Sequence, residues 1–180
     1  MPLRVATLSL AMAACACTPS RGARTSTSDP GHPLVLQGVP DVPVRLVRAV
    51  GAHHTFRATE SEGRVLVVDF WAPHCAPCRA SFPALDALYR KHRFAGLDVF
   101  GITPEDDRQK IEGFLQETGA SFPVGIDLGG RAVASFSVDG LPTEFVIDRK
   151  GVVRYVHAGW ERNDREAIEA EVEELLREGP

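Results

Sequence analysis

Val65-Leu66-Val67-Val68-Asp69-Phe70-Trp71-Ala72-Pro73-His74-Cys75-Ala76-Pro77-Cys78 decides the fold of this chain. From Val65 to Trp71 the run is apolar and broken only by Asp69, the pattern of a central strand buried on both faces. A charge inside such a strand needs a reason. After Cys78 the apolar residues Phe82, Leu85, Leu88 and Tyr89 recur at helical spacing, which predicts an amphipathic helix to about His92. Pro83 falls inside it, removes one backbone hydrogen bond and is expected to bend it. Two cysteines three apart thus stand where a buried strand gives way to a helix.

Working outward, Leu97 to Ile102 reads as a second buried strand. Thr103-Pro104-Glu105-Asp106 combines a capping hydroxyl, a proline suited to a first helical turn and acids, ahead of the apolar positions Ile111, Phe114 and Leu115. Gly119 is the expected stop. Phe122 to Ile126 predicts a short strand and Arg131 to Phe136 a short helix. Thr143 to Ile147 and Val152 to His157 predict two strands joined by the turn residues Asp148-Arg149-Lys150-Gly151. Asn163 or Asp164 then caps a helix whose Ile168, Val172, Leu175 and Leu176 form one stripe. On the N-terminal side, Leu34 to Ala58 alternates apolar and polar residues in two runs around Ala49-Val50-Gly51, the mark of a β-hairpin. Strands alternating with helices, closed by a hairpin and a helix, predict an α/β domain with a mixed sheet.

The chain has 180 residues, of which 44% are hydrophobic and 24% charged, proportions that exclude a disordered or collagen-like chain and fit one soluble domain. Such a domain buries enough surface to fold without covalent staples. Its 20 Lys and Arg against 24 Asp and Glu give a net charge of −4, with no basic stripe interleaved with aromatic residues, so nucleic acid is not an expected partner. The N-terminus reads as an address. Met1 to Arg4 is a short charged segment and Val5 to Ala14 an apolar stretch too short to span a membrane. Met12-Ala13-Ala14-Cys15 has the form of a bacterial lipobox, with Cys15 as lipid attachment site and Cys17 as the poorer alternative. Residues 1–17 are therefore expected to be a lipoprotein-type signal and 18–33, rich in Ser, Thr, Gly and Pro, a disordered tether reaching roughly 20 to 25 Å. Residues 34–180 are expected to form the folded domain, lipid-anchored outside the cytoplasmic membrane or secreted.

Cys75 and Cys78 are the chemical centre. Placed at a helix start, Cys75 would stand beside unpaired backbone N–H groups and the positive end of the helix dipole, which stabilise a thiolate. It is the expected nucleophile toward a disulfide in a partner protein, and Cys78 then attacks the mixed disulfide and releases the partner. Zinc would need four ligands, and no second CxxC and no HxxxH occurs in the domain, so neither metal nor cofactor is expected. His53 and His54 are adjacent on a strand, point to opposite faces and cannot readily share an ion. A disulfide over so short a loop would restrict the unfolded chain little, which favours a redox role over a structural one.

In this order, VLVVDFWAPHCAPC, Pro83 and Val138-Asp139-Gly140-Leu141-Pro142-Thr143-Glu144-Phe145-Val146-Ile147-Asp148 make the chain resemble the thioredoxin superfamily, and within it the TlpA/ResA-like thiol-disulfide oxidoreductases, over about residues 36 to 178. The resemblance implies a thioredoxin-like α/β fold, a mixed sheet flanked by helices, here with an N-terminal hairpin extension. It implies a cis bond before Pro142, and Leu141 offering its backbone to a bound peptide. Asp69 matches the buried acid of thioredoxins, whose raised pKa suits it to take the proton of Cys78. Many members carry a further acid three residues after the second cysteine, where this chain has Ser81; Glu144 is the candidate substitute. His74 stands where thioredoxins usually have Trp, and with Trp71 and Leu141 is a candidate substrate contact, although Trp71 also reads as packing. The resemblance further implies a monomer that reduces disulfides of extracytoplasmic proteins, apocytochrome c among them, with electrons from a membrane thiol protein.

Two other readings fit less well. A peroxiredoxin-like peroxide reductase would need a Pro-x-x-x-Thr-x-x-Cys pattern, and Ala72 occupies its threonine position. A copper-binding assembly factor would use CxxxC and a distant His rather than CxxC.

Overall fold

A computed structural model describes residues 28–50 and 53–179. The expected signal segment, Cys15, Cys17 and the tether up to residue 27 lie outside the described residues. Seven strands form one mixed sheet: β1 (Val44–Val50), β2 (His53–Phe56), β3 (Val65–Phe70), β4 (Leu97–Thr103), β5 (Val124–Ile126), β6 (Thr143–Ile147) and β7 (Val153–Ala158), in the spatial order β2-β1-β5-β4-β3-β6-β7. The α-helices among the described residues are α1 (Cys78–His92), α2 (Arg108–Thr118), α3 (Arg131–Ser135) and α4 (Asp164–Arg177). β3, β4 and β5 run parallel; β6 lies antiparallel to β3, and β7 to β6. This is the expected thioredoxin-like α/β fold, with the β1–β2 hairpin added beyond β5.

Every residue of β3 is buried, because helices cover both of its faces. Val65, Val67 and Trp71 pack with Phe82 and Leu85 of α1, Phe114 of α2, and Ile168 and Val172 of α4. Leu66, Val68 and Phe70 face the other way, toward Ala132 and Phe136 at α3. α1 runs through Pro83 without a break in its assignment. Its position in the middle of the sheet places the end of β3, and hence the CxxC segment, between β4 and β6.

Two expectations shift. α2 begins at Arg108 rather than after Thr103, since the Thr103 carbonyl accepts from Asp127 N–H (2.8 Å) and holds the residue in β4; Asp107 caps the helix instead, accepting from the N–H groups of Gln109 and Lys110. Contacts with the sheet also start ahead of Leu34: Ser28 bridges to His157, and Asp29 N–H donates to the Val156 carbonyl at 2.6 Å. Of the expected hairpin segment only Val44 onward is strand, with Val44 opposite Phe56; the turn residues 51 and 52 lie outside the described residues.

Gly125, in β5, is where packing tolerates no side chain. A Cβ there would stand 2.5 Å from Val44 Cγ1 and 2.9 Å from Phe100 Cζ. Gly125→Ala should therefore lose about 1 to 3 kcal/mol of stability by overpacking. An unchanged denaturation midpoint would show that the hairpin yields freely at this contact.

Candidate active site

The segment after β3 turns into α1 so that Cys78 is the first helical residue and Cys75 lies in the loop before it. The two form a disulfide with Cα atoms 5.3 Å apart. Cys78 N–H, one of the helix's unpaired first-turn donors, donates to Cys75 Sγ at 3.2 Å. Cys78 is fully buried and Cys75 is 8% exposed, so the outer sulfur is the accessible one. His74 and Ala76 on either side of Cys75 are exposed.

Three flanking residues take distinct places. Ser81, at the position of the missing helix acid, is buried, and its hydroxyl donates to the Cys78 carbonyl at 3.2 Å. Trp71 is 0% exposed, stacked on Phe114 at 4.4 Å and edge-on to Phe82 at 4.7 Å. This corrects its expected part as a substrate contact: strand β3 carries it into the core before the chain reaches the surface, which leaves His74 and the half-buried Leu141 as accessible candidates. Its indole nitrogen faces Gly101, where a Cβ would come within 3.1 Å. The Leu141–Pro142 bond is cis, as expected. Phe70 pairs with Thr143, so Pro142 lies beside the end of β3, where the chain departs toward Cys75. Thr143 Oγ1 secures this turn by donating to the Gly140 carbonyl at 2.8 Å.

Beneath the disulfide loop the sheet carries an unusual row. Asp69 of β3 is directly opposite Glu144 of β6, and Glu144 is directly opposite His157 of β7. Opposed residues of antiparallel strands share a face, so all three point the same way. Asp69 and Glu144 are 0% exposed and His157 1%. Neither carboxyl has a hydrogen-bonding partner among the described residues, and His157 Nδ1 also lacks one, whereas His157 Nε2 lies 2.8 Å from Glu171 Oε2 on α4. Burial pushes the Asp69 carboxyl up from 3.8 to about 8. Glu144 is held well above the usual carboxylate range, first by burial and then by the negative charges of Asp69 and Asp164. Asp69 was legible as an acid within an apolar strand, and Glu144 through its place two residues after Pro142. His157 and Glu171 were not singled out, because neither belongs to a motif.

The Redoxin family's sequence profile matches residues 17–176. The chain belongs to the Redoxin family. Among curated Redoxin-like relatives it is 30% identical over 92 residues to the thiol-disulfide oxidoreductase ResA of Bacillus thuringiensis (strain Al Hakam), covering 51% of this chain and 53% of that protein. Against ResA of Geobacillus kaustophilus the identity is 27% over 122 residues, 68% of this chain and 69% of the relative. The chain thus spans about half the length of the first of these relatives. A Chlorobium tepidum structure described as a thiol:disulfide interchange protein DsbE superposes with a TM-score of 0.70 at 30% identity, covering 77% of this chain and 95% of the other. A Bacteroides thetaiotaomicron structure described as a protein disulfide isomerase, 22% identical with a TM-score of 0.71 and coverages of 79% and 90%, shares the fold. In this Redoxin family member the CxxC pair therefore sits in the setting expected of a thiol-disulfide oxidoreductase.

Proposed function

We propose that this Redoxin family protein is a thiol-disulfide oxidoreductase that reduces disulfides in extracytoplasmic proteins. The observation that carries the reading is the Cys75–Cys78 pair at the start of α1, with Cys78 N–H aimed at Cys75 Sγ. In the reduced state the same N–H and the helix dipole would stabilise a Cys75 thiolate. That thiolate attacks one sulfur of the substrate disulfide, forming a Cys75–substrate bond and releasing the other substrate sulfur as thiolate. Cys78 then gives its proton to Asp69 in its ionised form, a minority below about pH 8 but a strong proton acceptor because burial raises its pKa, and the Cys78 sulfur attacks Cys75 Sγ. The Cys75–Cys78 bond forms, the second substrate sulfur leaves as thiolate, and two electrons have passed to the substrate. Leu141 and His74 flank the incoming polypeptide. A thiol protein in the membrane restores the dithiol, and apocytochrome c is one substrate class that fits such a reductase.

The same proposal places the domain outside the cytoplasmic membrane, held by a lipid on Cys15 and a tether over residues 18–33. Among the described residues no helix is long and apolar enough to cross a membrane. Cys15→Ser should abolish incorporation of labelled fatty acid and release the protein from the membrane fraction; undiminished labelling would remove Cys15 as the anchor.

The direction of the reaction is tested by the potential of the Cys75/Cys78 couple. A value near about −270 mV, with the reduced protein turning over insulin disulfides, is expected of a reductase; one near about −120 mV would make the protein a disulfide donor instead.

A further inference from the structure

The row Asp69, Glu144 and His157 presents a problem that the exchange chemistry alone does not solve. Two carboxyls and an imidazole, all fully buried, leave five polar atoms without partners: both oxygens of Asp69, both of Glu144 and Nδ1 of His157. Isolated, such groups are costly to bury. They face one another along one row of the sheet, Asp69 opposite Glu144 and Glu144 opposite His157, without a hydrogen bond joining any two of them. Opposed side chains on antiparallel strands have Cβ atoms about 4.5 to 5.5 Å apart, within reach for Asp, Glu and His. A protonated Glu144 has one O–H to offer Asp69, and a His157 protonated at Nδ1 has one N–H to offer Glu144. The remaining imidazole nitrogen is fixed by Glu171, which is partly exposed on α4 and links the row to solvent.

We propose that Glu144 and His157 are positioning residues for the proton of Cys78: with Asp69 they form one buried proton-holding unit, connected to the α4 surface by Glu171. This deepens the oxidoreductase reading and rests on it. When ionised Asp69 accepts the Cys78 proton, the charge it gives up has been shared with Glu144, toward which an N–H on His157 Nδ1 can donate. The surroundings leave few other candidates for this work. α1 contributes Cys78 itself, β4 places Gly101 beside Asp69, and α4 contributes Glu171 and the Asp164 carboxylate, whose negative charge acts on Glu144. Ser81, where the helix acid would be, is engaged with the Cys78 carbonyl. The acid absent from α1 is thus replaced from β6, on the opposite side of Asp69 from β4.

The test uses the full chain in its oxidised form, with carboxyl-labelled aspartate followed by NMR through a pH titration and the Asp69 signal assigned by its loss in Asp69→Asn. Wild type should show Asp69 titrating over a broad range with two inflections, as interacting sites do. Glu144→Gln should reduce this to a single inflection. His157→Phe, which keeps a buried ring but no nitrogen, should raise the midpoint by about one pH unit, leaving about tenfold less ionised Asp69 at a given pH below it. The rate at which Cys78 resolves a Cys75–substrate disulfide should fall by the same factor. Glu171→Gln, at a partly exposed position that does not threaten folding, should move the midpoint in the same direction. Asp69 curves that superimpose on wild type in Glu144→Gln, His157→Phe and Glu171→Gln would overturn the proposal. Because the titration is read without turnover, it stands apart from the oxidoreductase reading, which fails separately if the protein shows no cysteine-dependent disulfide reduction.

Discussion

Cys75→Ser should abolish disulfide reduction, with a loss of at least about 1,000-fold against insulin or another protein disulfide, because of the two cysteines among the described residues Cys75 has the accessible sulfur. Cys75 has the exposed edge, whereas Cys78 is 0% exposed and begins the helix under it. Cys78→Ser should behave differently. It leaves the attacking thiolate but removes the second nucleophile, so the protein should accumulate as a mixed disulfide, visible as a mass increase equal to the substrate and reversed by dithiothreitol. The asymmetry between the variants matters more than the loss itself. A structural disulfide would give equal, stability-related effects for both, and retained reduction by both variants would remove the redox reading.

The second large effect concerns stability rather than rate. Asp69 is expected to keep its proton in the folded protein up to pH 8 or so, while in the unfolded chain it releases it near 3.8. Below 3.8 both states hold the proton and the group costs nothing. Between 3.8 and about 8 the unfolded state alone is ionised, so stability falls by about 1.4 kcal/mol per pH unit, and above the folded value the loss stays constant. The full penalty is roughly 6 kcal/mol. Asp69→Asn should therefore be markedly more stable than wild type at pH 8 in guanidinium denaturation, with the gap narrowing as the pH is lowered to 5. The same variant should resolve mixed disulfides about 100-fold more slowly, since Cys78 has lost its proton acceptor. Equal pH dependence in the two proteins would mean that Asp69 is ionised in the fold.

The strand-to-helix segment was legible because the fold and the chemistry are encoded in consecutive residues: an apolar run that must be buried on both faces, then two cysteines, then helical periodicity. Pro142 was legible through its motif. Trp71 shows the limit of motif reading, since its nearness to Cys75 in sequence says nothing of the face on which β3 places it. The partnership of Glu144 with His157 was hidden for a geometric reason. A simple turn over Asp148 to Gly151 pairs Ile147 with Val152 and would set Tyr155 against Glu144. Ile147 instead pairs with Val153, and the irregularity between Val146 and Ile147 adds one further residue, so that Tyr155 meets Val146 and His157 meets Glu144. The longer turn and the bulge together decide whether the buried acid faces a phenol or an imidazole. α2 was misplaced for a related reason, because the parallel pairing of β4 with β5 takes up Thr103 that local capping signals assign to a helix.

The short bridge from Ser28 to β7 also bears on how the sheet meets other chains. An open sheet edge recruits exposed strands of other chains by backbone pairing. Here Ser28, Asp29 and, further along, Leu36 and Val39 occupy hydrogen-bonding positions along β7 and its preceding turn. At the other end β2 is only four residues long and displays His53 and His54. With one margin occupied by its own chain and the other short and polar, the sheet gives foreign strands little to template on.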